Sequence, residues 1–342
     1  MIVQLSPKER IEAFCRLGDL INSLSEEEKE VLFKKAGNQN TWFTEVSMES
    51  ALRGLSRLLE KSKLEKWLSE YIFPENISPR KVGILMAGNI PGVGFHDLMC
   101  VLITGHVAVP KLSSADSFFS NWLIQKLIQV ESRFNMYIQI EEMLKGMDAY
   151  IATGSDNSAR YFNYYFGKYP SIIRANRTSV AILTGEETED ELDKLGTDIF
   201  LYYGLGCRNV SKIFVKDVAH LQHFLDVLEK FSWVASNHKY HNNYEYNKSI
   251  YLVNREPHLD NGFVILRESK ELVSPIGVLF YEVYEKEEQL LQNLELLEAK
   301  IQCVVGHKNE IQRIIPFGEA QYPEPWDYAD KVDTLAFLLK LD

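Results

Sequence analysis

The stretch Lys81-Val82-Gly83-Ile84-Leu85-Met86-Ala87-Gly88-Asn89-Ile90-Pro91-Gly92-Val93-Gly94 decides the fold class. Its apolar first part, 82–86, has the length of a buried strand, and its second part is a turn rich in glycine and proline. In open α/β sheets ligands bind beyond the carboxyl ends of strands, and glycines let a backbone approach them closely. The turn is neither GxGxxG nor a phosphate loop ending in GK[ST], so those nucleotide fingerprints are absent. Read by itself it is also compatible with a plain strand-to-helix turn.

Outward from this stretch, short apolar runs predict strands at 106–111, 148–152, 178–183, 212–215, 249–253, 263–266, 278–283 and 301–305. Helical patterns at 114–134, 159–166, 219–231 and 285–299 separate many of them. Such alternation predicts an α/β protein with a largely parallel sheet. Residues 240–251, rich in Tyr and Asn, read as a polar surface loop leading into a strand. Upstream, residues to Tyr71 read as helices. Ser25-x-x-Glu28 is a capping box ahead of Val31, Leu32 and Phe33, and leucines repeat at helical spacing over 51–71. Pro74 and Pro79 then interrupt the chain.

Composition narrows the function classes. The 342 residues fit two domains. With 37 basic and 48 acidic residues the net charge is −11, and no basic stripe is present, so a nucleic-acid partner is not expected. No run approaches the roughly 20 apolar residues of a membrane span, so no integral membrane contact is expected. The first residues lack an apolar signal core and carry acidic side chains, so the expected location is the cytoplasm. The four cysteines form no CxxC pair, which fits neither a disulfide framework nor a zinc site. His220 with His223, and His238 with His241, have no acidic or sulfur partner at ligand spacing, so no metal is expected.

Three further turns carry groups with chemistry. Lys111-Leu112-Ser113-Ser114 offers an ammonium and two hydroxyls suited to a phosphate or a ribose; alternatively Ser114 caps the next helix and Lys111 is solvated. Thr153-Gly154-Ser155 follows a strand and offers backbone N–H groups to an anion, or is a capped turn. Gly204-Leu205-Gly206-Cys207-Arg208-Asn209 frees the backbone ahead of a cysteine. A cysteine at a helix start beside a cation has a lowered pKa, which makes Cys207 the candidate nucleophile. Cys15, Cys100 and Cys303 sit in apolar patterns and read as core.

The order of these motifs resembles the aldehyde dehydrogenase superfamily. Asn89 is similar to its oxyanion asparagine, Lys111 to its cofactor-ribose lysine, and Thr153-Gly154-Ser155 to its pyrophosphate turn. Cys207 is similar to its nucleophile, and Glu271-Leu272-Val273-Ser274-Pro275 to the acidic motif that holds the nicotinamide ribose. Pro316-Phe317-Gly318 looks like the motif near its substrate funnel. Within the superfamily, Asn89 to His96, Ala175 to Ser179, Gly204 to Asn209 and Asp327 to Thr334 resemble the LuxC-type fatty acyl-CoA reductases.

The resemblance implies an aldehyde-dehydrogenase-like α/β fold. N-terminal helices and a Rossmann-like cofactor domain would span 1–176, an α/β catalytic domain 177–320, and a tail packing across the domains 321–342. It implies NADPH-dependent reduction of a long-chain acyl-CoA to the aldehyde through an acyl-cysteine on Cys207, with Asn89 on the oxyanion. Lys111, Ser113, Ser114, Thr153, Gly154, Ser155 and Glu271 would hold the cofactor. Phe95 and Phe317 would line an acyl pocket or belong to ordinary core.

Two departures from the aldehyde-oxidising pattern carry mechanism. The glutamate that activates water there has no counterpart in Ile172-Ile173-Arg174-Ala175-Asn176-Arg177, so an acyl-enzyme would outlive water. Ser114 stands where NAD-preferring members often place a ribose-binding glutamate, which permits NADPH while NADH stays possible. Relatives are often homo-oligomers and act with acyl-activating enzymes, and both are expectations here. The rival readings are an acylating dehydrogenase for short or aromatic acyl groups, an acyl-phosphate reductase, and a catalytically idle binding protein.

Overall fold

The structure, a computed structural model, describes residues 5–74, 77–307 and 314–341. Two compact units emerge, residues 1–176 with 323–342, and residues 177–322. The segment 323–342, set apart above as a tail, thus belongs to the first unit.

The first unit begins with helices α1 (Pro7–Asn22), α2 (Glu26–Gln39), α3 (Glu45–Leu58) and α4 (Lys61–Leu68). Reciprocal capping boxes start α1 at Ser6 and α2 at Ser25, satisfying N–H groups that a helix start leaves unpaired. The leucine repeat over 51–71 divides between α3 and α4 rather than forming one helix. Next come β1 (Lys81–Leu85), α5 (Phe95–Thr104), β2 (Val107–Lys111), α6 (Ser117–Val130), β3 (Ala149–Thr153), α7 (Asp156–Phe166) and β4 (Ser171–Arg174). The four strands pair in parallel in the order β2-β1-β3-β4. Strand order therefore reverses between β1 and β3, and a crevice at the carboxyl ends is where such sheets bind ligands.

Phe14 of α1 and Phe95, Met99 and Leu102 of α5 are buried in one core with the sheet. The C-terminal helix α12, numbered after the elements of the second unit, covers Thr334–Leu338 and packs on α5. It is tied down by Arg174, which donates to Thr334 Oγ1 at 2.9 Å, and by Tyr71, which donates to Asp333 at 2.8 Å.

The second unit holds β5 (Thr178–Leu183), α8 (Glu189–Phe200), β6 (Val210–Val215), α9 (Leu221–Leu228), α10 (His238–Asn254), β7 (Leu259–Asp260), β8 (Ile265–Glu268), β9 (Val278–Val283), α11 (Glu287–Leu296), β10 (Ile301–Val305) and β11 (Ile314–Ile315). Its seven strands run β11-β10-β5-β6-β9-β8-β7, and every pairing is parallel except β7 with β8.

The main correction concerns 240–251. This segment is no loop and 249–253 is no strand, because both lie in α10. Asn237 caps that helix by accepting from the Lys239 and Tyr240 N–H groups, and Tyr240, Tyr244, Asn247 and Tyr251 are buried at helical spacing. Tyrosine rings form the apolar stripe, so the segment reads as polar while packing as a core helix. Strands β4, β7 and β11 also escaped the sequence reading; each has four residues or fewer. No helix among the described residues is long and apolar enough to cross a membrane.

Candidate functional site

In the first unit the motif residues gather at one edge of the sheet. Leu85, the last residue of β1, is level with Lys111 on one side and Ala152 on the other. Asn89 lies four residues beyond β1 and is exposed, Lys111 ends β2, and Thr153 ends β3. Ser155 is the N-cap of α7, its side chain accepting from Ser158 N–H. Gly154 is required by packing, since a Cβ there would stand 2.8 Å from Phe162 and Ser158. Gly88 presses on Ser113 in the same way, where a Cβ would meet the Ser113 Oγ at 2.5 Å. The Ser113 hydroxyl accepts from Ala115 N–H at 3.3 Å, and Ser114 is exposed. Ser114 does not cap the next helix: α6 begins at Ser117 with Asp116 as N-cap.

This donor set fits a dinucleotide. An exposed ammonium, hydroxyls and the start of an eleven-residue helix favour phosphate and ribose oxygens. Asp116 is a partner that the sequence reading missed. It is fully buried, and its Oδ2 accepts from Gly92 N–H and the Ser120 hydroxyl, both at 2.9 Å, so it holds the Asn89 turn from below. Burial raises its carboxyl to about 7, against the two hydrogen bonds. Its Oδ1 is buried without a partner.

The stretch resembling the water-activating segment is β4 and its continuation. Arg174 there is buried and paired with Asp97 at 2.6 Å. A guanidinium cannot accept a proton, so this position offers no general base. Phe95 belongs to the core, edge-on to Phe14 with ring centres 6.2 Å apart.

In the second unit Cys207 is exposed, whereas Cys15, Cys100 and Cys303 are buried. Burial raises the Cys15 and Cys303 thiols to about 11 and pushes Cys100 well up, leaving all three inert at neutral pH. Cys207 is not at a helix start. It sits in a turn closed by Asn209 N–H donating to Gly206 C=O at 3.0 Å, and β6 follows at once. Just upstream, Tyr202 and Tyr203 both lie in the left-handed region, with φ 59° and 58°, followed by Gly204 at 76°. Such backbone costs about 1–3 kcal/mol per non-glycine residue and persists where packing enforces it. Here the Tyr203 ring is held between Trp233 and Tyr240.

Two side chains that the sequence reading missed, Asn209 and Ser179, hold the Cys207 turn, and a third, Asp198, anchors a neighbouring loop. Asn209 is 2% exposed. Its Oδ1 accepts from Gly206 N–H at 2.8 Å, and its Nδ2 donates to the carbonyls of Asp198, Ile199 and Leu201 at the end of α8. The Asp198 carboxylate accepts from Gly318 N–H at 2.7 Å and Ala320 N–H at 3.0 Å, anchoring the loop that carries Phe317. Burial raises Asp198 to about 7. Ser179 donates to Cys207 C=O at 3.0 Å and accepts from Cys303 N–H at 3.2 Å. Both neighbouring strands shift register at Ser179, a pair of bulges of the kind found beside active sites.

Glu271 is exposed in the β8–β9 connection, its N–H donating to Ser269. The neighbouring Leu272 C=O accepts from Ser211 of β6 at 2.7 Å. Phe317 is buried, edge-on to His307. A cavity of about 30 Å³ beside Tyr203, Gly204, Ser274 and Pro275 has room for one water, not an acyl chain.

The comparisons with known proteins agree with this architecture. An indole-3-acetaldehyde dehydrogenase complexed with NAD+ matches with a TM-score of 0.62 at 15% identity, over 90% of this chain and 77% of that one. An NADP-dependent enzyme of E. coli gives 0.64 at 12% identity, over 90% and 74%. The aldehyde dehydrogenase KauB from Pseudomonas aeruginosa gives 0.64 at 13% identity, over 90% and 77%. The fold is thus that of the aldehyde dehydrogenases. A search of curated protein sequences finds no match. The acyl-CoA reductase (LuxC) family matches residues 23–232, a span that holds Asn89, Lys111, the 153–155 turn and Cys207 but not Glu271 or Phe317. As that match covers more than half of the sequence, the chain belongs to the acyl-CoA reductase (LuxC) family.

Proposed function

We propose that the protein reduces a long-chain acyl-CoA to the aldehyde through an acyl-cysteine on Cys207, preferring NADPH. The observation that carries this reading is the contrast among the cysteines: Cys207 stands exposed on a clasped turn within the family match, and the other three are buried.

The Cys207 thiolate attacks the thioester carbonyl, forming a C–S bond and an oxyanion. The Cys207 backbone N–H stabilises that charge, with the Asn89 amide in the role its family likeness gives it. Collapse of the adduct breaks the bond to CoA sulfur, and CoA leaves as a thiolate that takes a proton from solvent. Lys111, the Thr153-Gly154-Ser155 turn and Glu271 bind and orient the nicotinamide cofactor. That cofactor, when bound, supplies the hydride that turns the acyl-cysteine into aldehyde and free thiolate. With no carboxylate in residues 172–177, that stretch supplies no base to activate water, so the acyl-cysteine would persist rather than be discharged as acid. Ser114, exposed three residues beyond Lys111, adds no carboxylate to repel a 2′-phosphate, which supports NADPH.

The test is intact mass measurement after mixing with acyl-CoAs of graded length and no nicotinamide. The expected result is an added acyl mass on Cys207, strongest with long chains and discharged as aldehyde faster by NADPH than by NADH. No adduct with any acyl-CoA would overturn the reading, and an adduct confined to short chains would overturn its long-chain part.

A further inference from the structure

We propose that Asn209 and Ser179 are positioning residues for acyl transfer, orienting successive peptide planes around Cys207 so that its N–H and thiol face one reacting carbonyl. This rests on the reading of Cys207 as the nucleophile. The geometry is specific. Asn209 Oδ1 fixes the Leu205–Gly206 peptide through Gly206 N–H, at 2.8 Å. The Asn209 N–H fixes the Gly206–Cys207 peptide through Gly206 C=O, at 3.0 Å, which turns the Cys207 N–H to the opposite side. Ser179 fixes the Cys207–Arg208 peptide through Cys207 C=O, at 3.0 Å.

The same Asn209 amide serves a second, electrostatic purpose. Helix α8 ends just before this turn, and helix C-termini carry unpaired carbonyls and a partial negative charge. An oxyanion or thiolate beside them would be disfavoured. Asn209 Nδ2 covers two of these carbonyls, at 3.0 and 3.2 Å, and that of the C-cap residue Leu201, at 2.6 Å. Ser179 is held in turn by Cys303, whose N–H donates to its Oγ and whose sulfur lies 2.9 Å from it. Cys303 thus has a place in the site without being a nucleophile.

The experiment compares two reactions of one thiol in the full chain. Acetylation by p-nitrophenyl acetate builds an oxyanion and needs the N–H aimed. Alkylation by iodoacetamide displaces iodide at a saturated carbon and needs only an accessible thiolate. Both are followed by intact mass at pH 9.5. The expected result is an acetylation rate about 100-fold lower in Asn209→Ala and about tenfold lower in Ser179→Ala, with alkylation little changed. Both rates falling together, or neither changing, would overturn the proposal, because a purely structural role moves the two alike. If Asn209→Ala does not fold, Ser179→Ala decides by the same ratio. A wild-type Cys207 that takes no acetyl group overturns this proposal together with the nucleophile assignment. One that takes acetyl from the ester but no acyl group from CoA sinks only the acyl-CoA reading.

Discussion

The candidate anion-binding residues of the first unit and the candidate nucleophile of the second lie at opposite ends of parallel strands. In the first, Asn89, Lys111 and Thr153 lie at or beyond the carboxyl ends of β1, β2 and β3. In the second, Cys207 precedes β6 and Ser179 is the second residue of β5. The carboxyl edge is where helices begin, so it offers N–H donors that suit phosphate with little help. The amino edge is where helices end, so it offers carbonyls that repel an anion. On the proposed reading, a nucleophile on that edge needs buried side chains, and Asn209 would cover the carbonyls while Ser179 would help hold the turn.

The difference can be tested by asking whether the two edges fail separately. Cys207→Ala should lower acyl transfer by roughly 10⁴-fold or more while leaving nicotinamide affinity as it was, measured by fluorescence titration. Full reductase activity in this variant would remove the second edge from the chemistry. Lys111→Ala should do the reverse: KM for the nicotinamide rises about tenfold, as for a lost charge-assisted hydrogen bond, and acetylation of Cys207 stays at the wild-type rate. An unchanged KM would say that the carboxyl edge binds something else.

The smallest expected effect concerns the two buried carboxyls, one under each edge. Burial raises Asp116 and Asp198 to about 7 in the folded protein. A carboxyl whose folded pKa exceeds its unfolded value of about 3.9 favours folding when protonated. That contribution is full below about pH 4 and lost as pH rises through about 7. Asp116→Asn keeps an oxygen for Gly92 and Ser120 and puts an amide where Oδ1 stands unpartnered. Its Tm should exceed that of wild type by about 2–4 °C at pH 8, and the gap should narrow at pH 5. Thermal unfolding at the two pH values checks this, and a gap independent of pH would contradict the raised carboxyl.

Legibility in the sequence followed the same divide. Strands such as Thr178–Leu183, Val278–Val283 and Ile301–Val305 were visible because buried parallel strands are continuous apolar runs. The carboxyl-edge turns were visible as candidates because glycine and hydroxyl residues follow those runs at short range. Helix α10 was not, since its apolar face is made of tyrosines. Nor were Asn209, Asp198, Ser179 and Asp116. Each is an ordinary polar residue whose importance comes from burial and from partners such as Gly318, 120 residues from Asp198. Asn209 stood two residues from a suspected nucleophile, and a polar side chain so close to a glycine turn was the available signal.

The uneven exposure of the four cysteines also gives the protein a built-in gauge of its own folding. A chromogenic disulfide reagent should titrate one thiol in the native chain and four in denaturant. The slow appearance of the last three would time the opening of α1, α5 and β10, the elements that carry Cys15, Cys100 and Cys303. Because Cys15 and Cys100 report on one unit and Cys303 on the other, the order in which they react would tell which unit loosens first.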